Sequence, residues 1–73
     1  MAEIKILTEV AGRVCELLHE IGASIGDGDD IALIEAMKME IPVASTVTGT
    51  IKAIAVKVDD MVTEGQTIAV IEI

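Results

Sequence analysis

The sequence predicts an all-β domain, a flattened barrel or sandwich of antiparallel strands with pseudo-two-fold symmetry. The first observation is composition: 52% of the 73 residues are hydrophobic and none is aromatic, so the core must be aliphatic. The second is the frequency of Ile and Val, because β-branched side chains suit a pleated, half-buried surface. The third is that the two halves of the chain repeat each other at an offset of 37 residues.

The repeat becomes visible when residues 10–36 are set over residues 47–73. Seven of these 27 positions are identical, and the two glycines of the second copy, Gly49 and Gly65, align with Gly12 and Gly28 of the first. Read locally, "VAGRVCELLHEI" has the apolar spacing of an amphipathic helix. Its counterpart "GTIKAIAVKV" is β-branched and roughly alternating, which is typical of a strand. If the copies share a fold, the first segment is a strand too.

Each copy is therefore predicted as strand, turn, turn, strand. The turns "GASIGDGDD" and "DDMVTEGQT" are rich in Gly and Asp, as tight turns require. Two such units, each too small to bury its own apolar face, are expected to pack face to face within one domain, 1–73. The strands are predicted at residues 3–7, 12–20, 31–36, 39–43, 49–57 and 67–72.

Charge and cysteine usage exclude several classes of function. The net charge of −8 argues against nucleic acid, whose binding depends on Lys and Arg, and against anionic membrane surfaces. The start "MAEIKILTEV" is unlike a signal peptide, and no apolar run reaches the ~20 residues of a membrane span. The single Cys15 cannot form an internal disulfide, so we expect a cytoplasmic, reducing setting. We also expect the isolated domain to be a monomer.

Lys38 lies where copy one continues beyond the end of copy two. Strands 31–36 and 39–43 leave room only for a tight hairpin with Met37 and Lys38 at its centre. Two-residue hairpins usually contain Asn or Gly there, because the central residues need positive φ. A broken local rule at an exposed point favours a functional site. The alternative is that "IEAMKMEI" is one continuous strand with Lys38 an ordinary surface lysine.

The stretch "EAMKMEIPV" resembles the attachment motif of the biotinyl/lipoyl domain family, of the biotin carboxyl carrier type. The glycine turns "IGDGDDI" and "VTEGQTI" and the strand "GTIKAI" extend the resemblance over nearly the whole chain. It implies the hammerhead fold of two four-stranded sheets, with biotin joined by an amide to Lys38 at a hairpin tip. It also implies that Met37 and Met39 are the motif residues flanking the lysine, and that the hairpin is recognised through Glu35, Ala36 and Glu40.

The resemblance further implies a non-catalytic carrier without catalytic residues. A lysine amine is protonated at pH 7 and a poor nucleophile, so a biotin protein ligase must supply activated biotin. Biotin carboxylase and carboxyltransferase would then be visited in turn by the biotin arm. Two alternatives stay open, a lipoyl carrier and an unmodified β adaptor. Met37 and Met39 favour biotin, since lipoyl domains usually have Asp-Lys-Ala at this place.

Other candidate sites have simpler interpretations. Cys15 and His19 lie four residues apart, but they align with Lys52 and Val56 and therefore look like ordinary strand positions. The acidic "DGDD" lacks the spacing of a calcium loop, and Met-x-Met alone provides too few copper ligands. No metal site is expected. Two details of the turns are predicted as well: Pro42 on an edge strand, and Asp59 in the left-handed conformation.

Overall fold

A computed structural model describes residues 2–73 and shows two four-stranded antiparallel sheets. The predicted domain 1–73 includes Met1, which lies outside the described residues. Residues 2–73 contain no helix, and hence none that is long and apolar enough to cross a membrane. The strands are β1 (Glu3–Leu7), β2 (Gly12–Leu17), β3 (Ser24–Ile25), β4 (Asp30–Ala36), β5 (Met39–Ala44), β6 (Gly49–Ile54), β7 (Met61–Val62) and β8 (Thr67–Glu72).

The two sheets are related by the 37-residue offset, which confirms the predicted pseudo-two-fold. We name them sheet A, with the order β1-β8-β6-β3, and sheet B, with the order β5-β4-β2-β7. Shifting the numbering by 37 converts one order into the other, and each sheet takes strands from both copies. The backbone bonds repeat as well: Val14 N–H donates to Asp60 C=O, and Ile51 N–H to Ala23 C=O, both at 2.9 Å.

The repeat is longer than the segment 10–36 used to detect it. Strand β1 corresponds to β5, so that "EIKILT" from Glu3 matches "EIPVAS" from Glu40. The buried hydroxyls that follow these strands make identical turns. Thr8 Oγ1 donates to Val10 C=O at 2.8 Å, and Ser45 Oγ donates to Val47 C=O at 2.5 Å. The dipeptide Glu-Ile that begins both matching segments is the sequence signal that could have revealed the longer repeat.

The core between the sheets is entirely aliphatic, as predicted. Each fully buried isoleucine contributes roughly 2–3 kcal/mol relative to an exposed side chain. Among residues 2–73 the buried hydrophobic residues form six pseudo-symmetric pairs, and Val56, which aligns with His19, is the one buried residue without a buried mate. The most buried large side chains of the core are Ile31, Ile34, Ile51, Ile68, Ile71, Val14 and Val62.

Two predicted strand lengths were wrong. The segments 12–20 and 49–57 were expected to be continuous strands, but they end at Leu17 and Ile54. Each contains a bulge, after Val14 and after Ile51, which breaks the alternation expected of a regular strand. The short strands β3 and β7 lie within the predicted turns, because two residues are too few to show a period.

Gly12 and Gly49 allow the long strands to approach each other closely. A Cβ on Gly12 would lie 2.3 Å from the carbonyl oxygen of Glu35, and one on Gly49 would lie 2.4 Å from that of Glu72. Both obstacles are backbone atoms within a sheet, which cannot move aside. Of the glycines found in register, Gly12 and Gly49 therefore have a steric role at the ends of β4 and β8.

We expect Gly12→Ala and Gly49→Ala each to lower the free energy of unfolding by about 2 kcal/mol, because the backbone must shift to admit the methyl group. Urea unfolding measures this. Gly26→Ala is the matched control, since its nearest neighbour is the movable Asp29 side chain, whose Oδ2 lies 3.2 Å away. A loss for Gly12 or Gly49 no larger than that for Gly26 would contradict the steric explanation.

Candidate functional site

A two-residue hairpin joins β4 to β5, with Met37 and Lys38 at its centre. Ala36 pairs with Met39 directly below the turn. The φ angles are 52° at Met37 and 64° at Lys38, as the tight hairpin requires. The predicted hairpin is confirmed, and the alternative of one continuous strand is wrong. Two left-handed non-glycine residues in succession cost about 1 kcal/mol each. The pairing of β4 with β5 must stabilise this strained turn.

The side chains at the hairpin tip point into solvent. Lys38 is exposed and forms no ion pair within the described residues 2–73. Met37 is 94% exposed and Met39 64% exposed, so neither methionine fills a gap in the core. Exposed methionines next to an exposed lysine amine leave the tip open to contact by another protein.

Two glutamates stand directly below the tip. Glu35 and Glu40 are cross-strand partners and both are exposed. Arg13 lies on the other side of Glu35, with Nη2 3.2 Å from Glu35 Oε1 and Nη1 2.5 Å from Asp59 Oδ1. These hydrogen bonds, that to Glu35 foremost, raise the pKa of the Arg13 guanidinium. The arginine therefore joins the base of the hairpin to the 57–60 turn.

Arg13 and Asp59 were not among the predicted site residues. In the repeat they align with Thr50 and Gly22, so both replace an uncharged residue of the other copy. Asp59 has φ 78° where Gly22 has φ 94°, which confirms the predicted left-handed aspartate. Two opposite charges, one in each copy and each aligned with an uncharged residue of the other copy, were the signal that could have identified this link.

The other singled-out residues do not form a site. Cys15 lies in β2 and its thiol donates to Leu33 C=O at 3.3 Å. His19 follows the end of β2 and is half-buried. Among residues 2–73, no three His, Cys, Asp or Glu side chains are grouped as metal ligands would be. Pro42 lies on β5, an edge strand of sheet B, as predicted.

Three other lysines of the chain are placed differently from Lys38. Lys5 and Lys52 lie within strands β1 and β6, and Lys57 lies in the turn before β7. Lys52 is also paired with Glu3, and its Nζ lies 3.9 Å from Glu72 Oε2. None of these three stands at the tip of a two-residue hairpin.

Comparison with known proteins agrees with this geometry. The family model described as "Biotin-requiring enzyme", which covers biotin- and lipoyl-attachment domains, matches residues 2–71. The chain belongs to the biotin/lipoyl attachment family. The match spans all eight strands except the last residue of β8.

Two relatives and one solved structure illustrate the range of this attachment family. The biotinylated protein TB7.3 homolog of Mycobacterium leprae is 42% identical over 97% of this chain and 99% of its own length. Pyruvate carboxylase of Bacillus subtilis is 36% identical over 92% of this chain and 6% of its own. Urea carboxylase of Kluyveromyces lactis superimposes with a TM-score of 0.93 at 33% identity, over 99% of this chain and 6% of that one.

We expect Met37→Asn to raise the free energy of unfolding of this attachment domain by about 0.5 kcal/mol, because asparagine adopts positive φ more readily than methionine. The midpoint of urea unfolding measures the change. Met39→Asn is the control, since Met39 has no positive φ and pairs with Ala36 in the strand. An equal gain in both variants would show that polarity and not backbone strain is responsible.

We expect the thiol of Cys15 to react with iodoacetamide severalfold more slowly than an unfolded thiol at pH 8. Partial burial, followed by the negative charge of Glu40, raises the pKa of Cys15, so less thiolate is present at a given pH. The rate is measured for the folded and the urea-unfolded chain, each relative to glutathione in the same solvent. Equal relative rates would show that the folded environment does not protect the thiol.

Proposed function

We propose that this chain is a biotin carboxyl carrier in which biotin is joined by an amide to Nζ of Lys38. The observation that carries the proposal is the exposed lysine between two exposed methionines, at the tip of a hairpin of a biotin/lipoyl attachment domain. The chain is a carrier and not an enzyme. Because it spans only 6% of pyruvate carboxylase and of urea carboxylase, the complete reaction and its acceptor remain proposals.

The residues at the tip fit covalent attachment of biotin. An acyl group can reach an amine only if the nitrogen is accessible and free of a competing partner, and Lys38 meets both conditions within residues 2–73. Lys52, by contrast, is held by Glu3 and Glu72 across sheet A. When bound, biotin supplies a ring nitrogen that accepts and releases CO₂.

The protein contributes position. The strained turn rests on a strand pair that extends from Ala36 and Met39 down to Asp30 and Ala44, so Lys38 projects from a stiff base. Tethering to this base replaces free diffusion of the cofactor by an effective concentration that can reach about 1 mM. A biotin carboxylase and a carboxyltransferase are the enzymes that we propose the arm serves in turn.

Modification of Lys38 requires a biotin protein ligase as a further partner. The ligase must distinguish Lys38 from the three other lysines, so it must read the surroundings of the amine. We propose that it reads the hairpin through the exposed Glu35, Met37, Met39 and Glu40 and the half-buried Ala36. A monomeric state and a reducing cytoplasmic setting complete the proposal, the latter based on the single Cys15.

Two other functions are alternatives to the biotin carrier. A lipoyl carrier would use the same fold and the same lysine with a different acyl group, and the family includes both types. An unmodified adaptor would use the surface for protein contacts alone. The exposed Met37 and Met39 favour biotin over lipoate, because lipoyl domains usually have aspartate and alanine at these two places.

We expect intact mass to show one added biotin after incubation with a biotin protein ligase, ATP and biotin. Lys38→Arg should gain none, because the remaining amines are not at the hairpin tip. Lys57→Arg is the matched control and should gain one biotin like the wild type, since it removes an exposed lysine elsewhere.

A parallel reaction with lipoate and a lipoate ligase separates the alternatives. Gain of lipoate alone would retain Lys38 as the acceptor and replace the cofactor. No gain in either reaction, with the protein shown to be folded, would leave the unmodified adaptor. Biotin added to Lys38→Arg would place the acceptor on another lysine.

A further inference from the structure

The pseudo-two-fold allows the outer faces of the two sheets to be compared position by position. Residues that are directly opposite in antiparallel strands share a face, so Glu3 and Glu72 lie together on sheet A. Lys52 is bonded to Glu3 and near Glu72, and Lys5 is exposed two residues along β1. On this outer face two acidic side chains are balanced by two lysines.

Sheet B carries the hairpin and has a different charge at the equivalent positions. Glu40 and Glu35 replace Glu3 and Glu72, but Cys15 and Pro42 replace the two lysines. A third acid, Glu16, is exposed opposite Leu33 on the same face, where sheet A has an alanine. This face therefore has three acids against Arg13.

Arg13 leaves two of these acids without a basic partner. Its guanidinium is bonded to Glu35 and to Asp59. The Cys15 thiol lies 3.8 Å from Glu40 Oε2. Among residues 2–73 neither Glu40 nor Glu16 forms an ion pair. Sheet B, which carries Lys38, thus presents two uncompensated carboxylates, whereas Glu3 and Glu72 on sheet A both lie near Lys52.

An exposed apolar side chain lies at the far edge of the same face. Met61 of β7 pairs with Arg13, continues the row formed by Glu40, Glu35 and Arg13, and is 72% exposed. Its equivalent on sheet A is the small, polar Ser24. Unpaired carboxylates on the same face as an exposed methionine match a partner that presents both an arginine or lysine and an apolar hollow.

We infer that the outer face of sheet B, formed by Glu16, Glu40 and Met61, is the surface on which the biotin protein ligase docks through a basic, partly apolar face. The inference rests on the proposed function and names the contact by which that enzyme selects its lysine. The ligase must take Nζ of Lys38 into its own active site. Because Nζ is only one side chain away from the backbone, the body of the domain must then contact the surface of the ligase. Together with the hairpin itself, the charge on sheet B distinguishes this sheet from its pseudo-symmetric counterpart.

The test compares two double variants that lose the same charge. Glu16→Gln with Glu40→Gln removes the uncompensated carboxylates of sheet B, and Glu3→Gln with Glu72→Gln removes two acids of sheet A. Initial rates of biotinylation are measured against carrier concentration, with a purified biotin protein ligase, ATP and biotin. All four positions are on the surface, and urea unfolding verifies that each variant is folded.

We expect the sheet B double variant to raise KM about tenfold at ~0.02 M salt with kcat unchanged, because a docking contact acts before the chemical step. The sheet A variant should change KM less than about twofold. The contrast should shrink at ~0.5 M salt, where surface charges are screened. Met61→Ser, which inserts a short polar side chain like that of Ser24, should also raise KM, but at both salt concentrations.

Each contrary outcome has a distinct meaning. Equal KM values for the two double variants, with the wild type biotinylated at Lys38, would overturn the docking surface and leave the proposed function intact. A fall in kcat with KM unchanged would overturn it too, since the acids would then act on the acylation step. Failure of the wild type to accept biotin at all would overturn the proposed function itself.

Discussion

The structure depends on burial of isoleucine and valine between two sheets that neither half of the chain could form alone. Ile31 and Ile68, as pseudo-symmetric mates, are both fully buried, and so are Ile34 and Ile71. A domain of this size buries little surface and is marginal without disulfides or metal. Exchange of strands between the copies solves this, since every sheet contains strands from both and neither copy can unfold by itself.

The core gives the hairpin its stiffness. Two successive left-handed residues, Met37 and Lys38, are unfavourable, and neither obtains compensating burial at the exposed tip. The turn persists because β4 below it is buried at Ile34 and paired on both sides, with β5 and with β2. Gly12 permits the close approach of β2 that completes this support. An exposed lysine is thus held in place by a packed, apolar strand.

Symmetry shows where the chain has been adapted. The bonds of the turns repeat almost without change between the copies, whereas the charges of the outer faces do not. Arg13 and Cys15 stand on the hairpin's sheet where the other sheet has Thr50 and Lys52. Acylation of Lys38 would remove a positive charge from this sheet and increase its acidity. A carrier bearing its cofactor would therefore attract basic surfaces more strongly than the same carrier before modification.

The sequence alone determined the fold class, the pseudo-symmetry and the hairpin at Lys38, because an internal repeat and a period of two can be read directly from the order of residues. It did not determine the lengths of β2 and β6, since a bulge arises from how two strands fit together. Nor did it show that Arg13 reaches Asp59, 46 residues away. Ion pairs and uncompensated charges depend on which strands become neighbours, and only the tertiary structure decides that. The lysine that we propose as the acceptor was therefore visible in the sequence, and the charged face of its sheet was not.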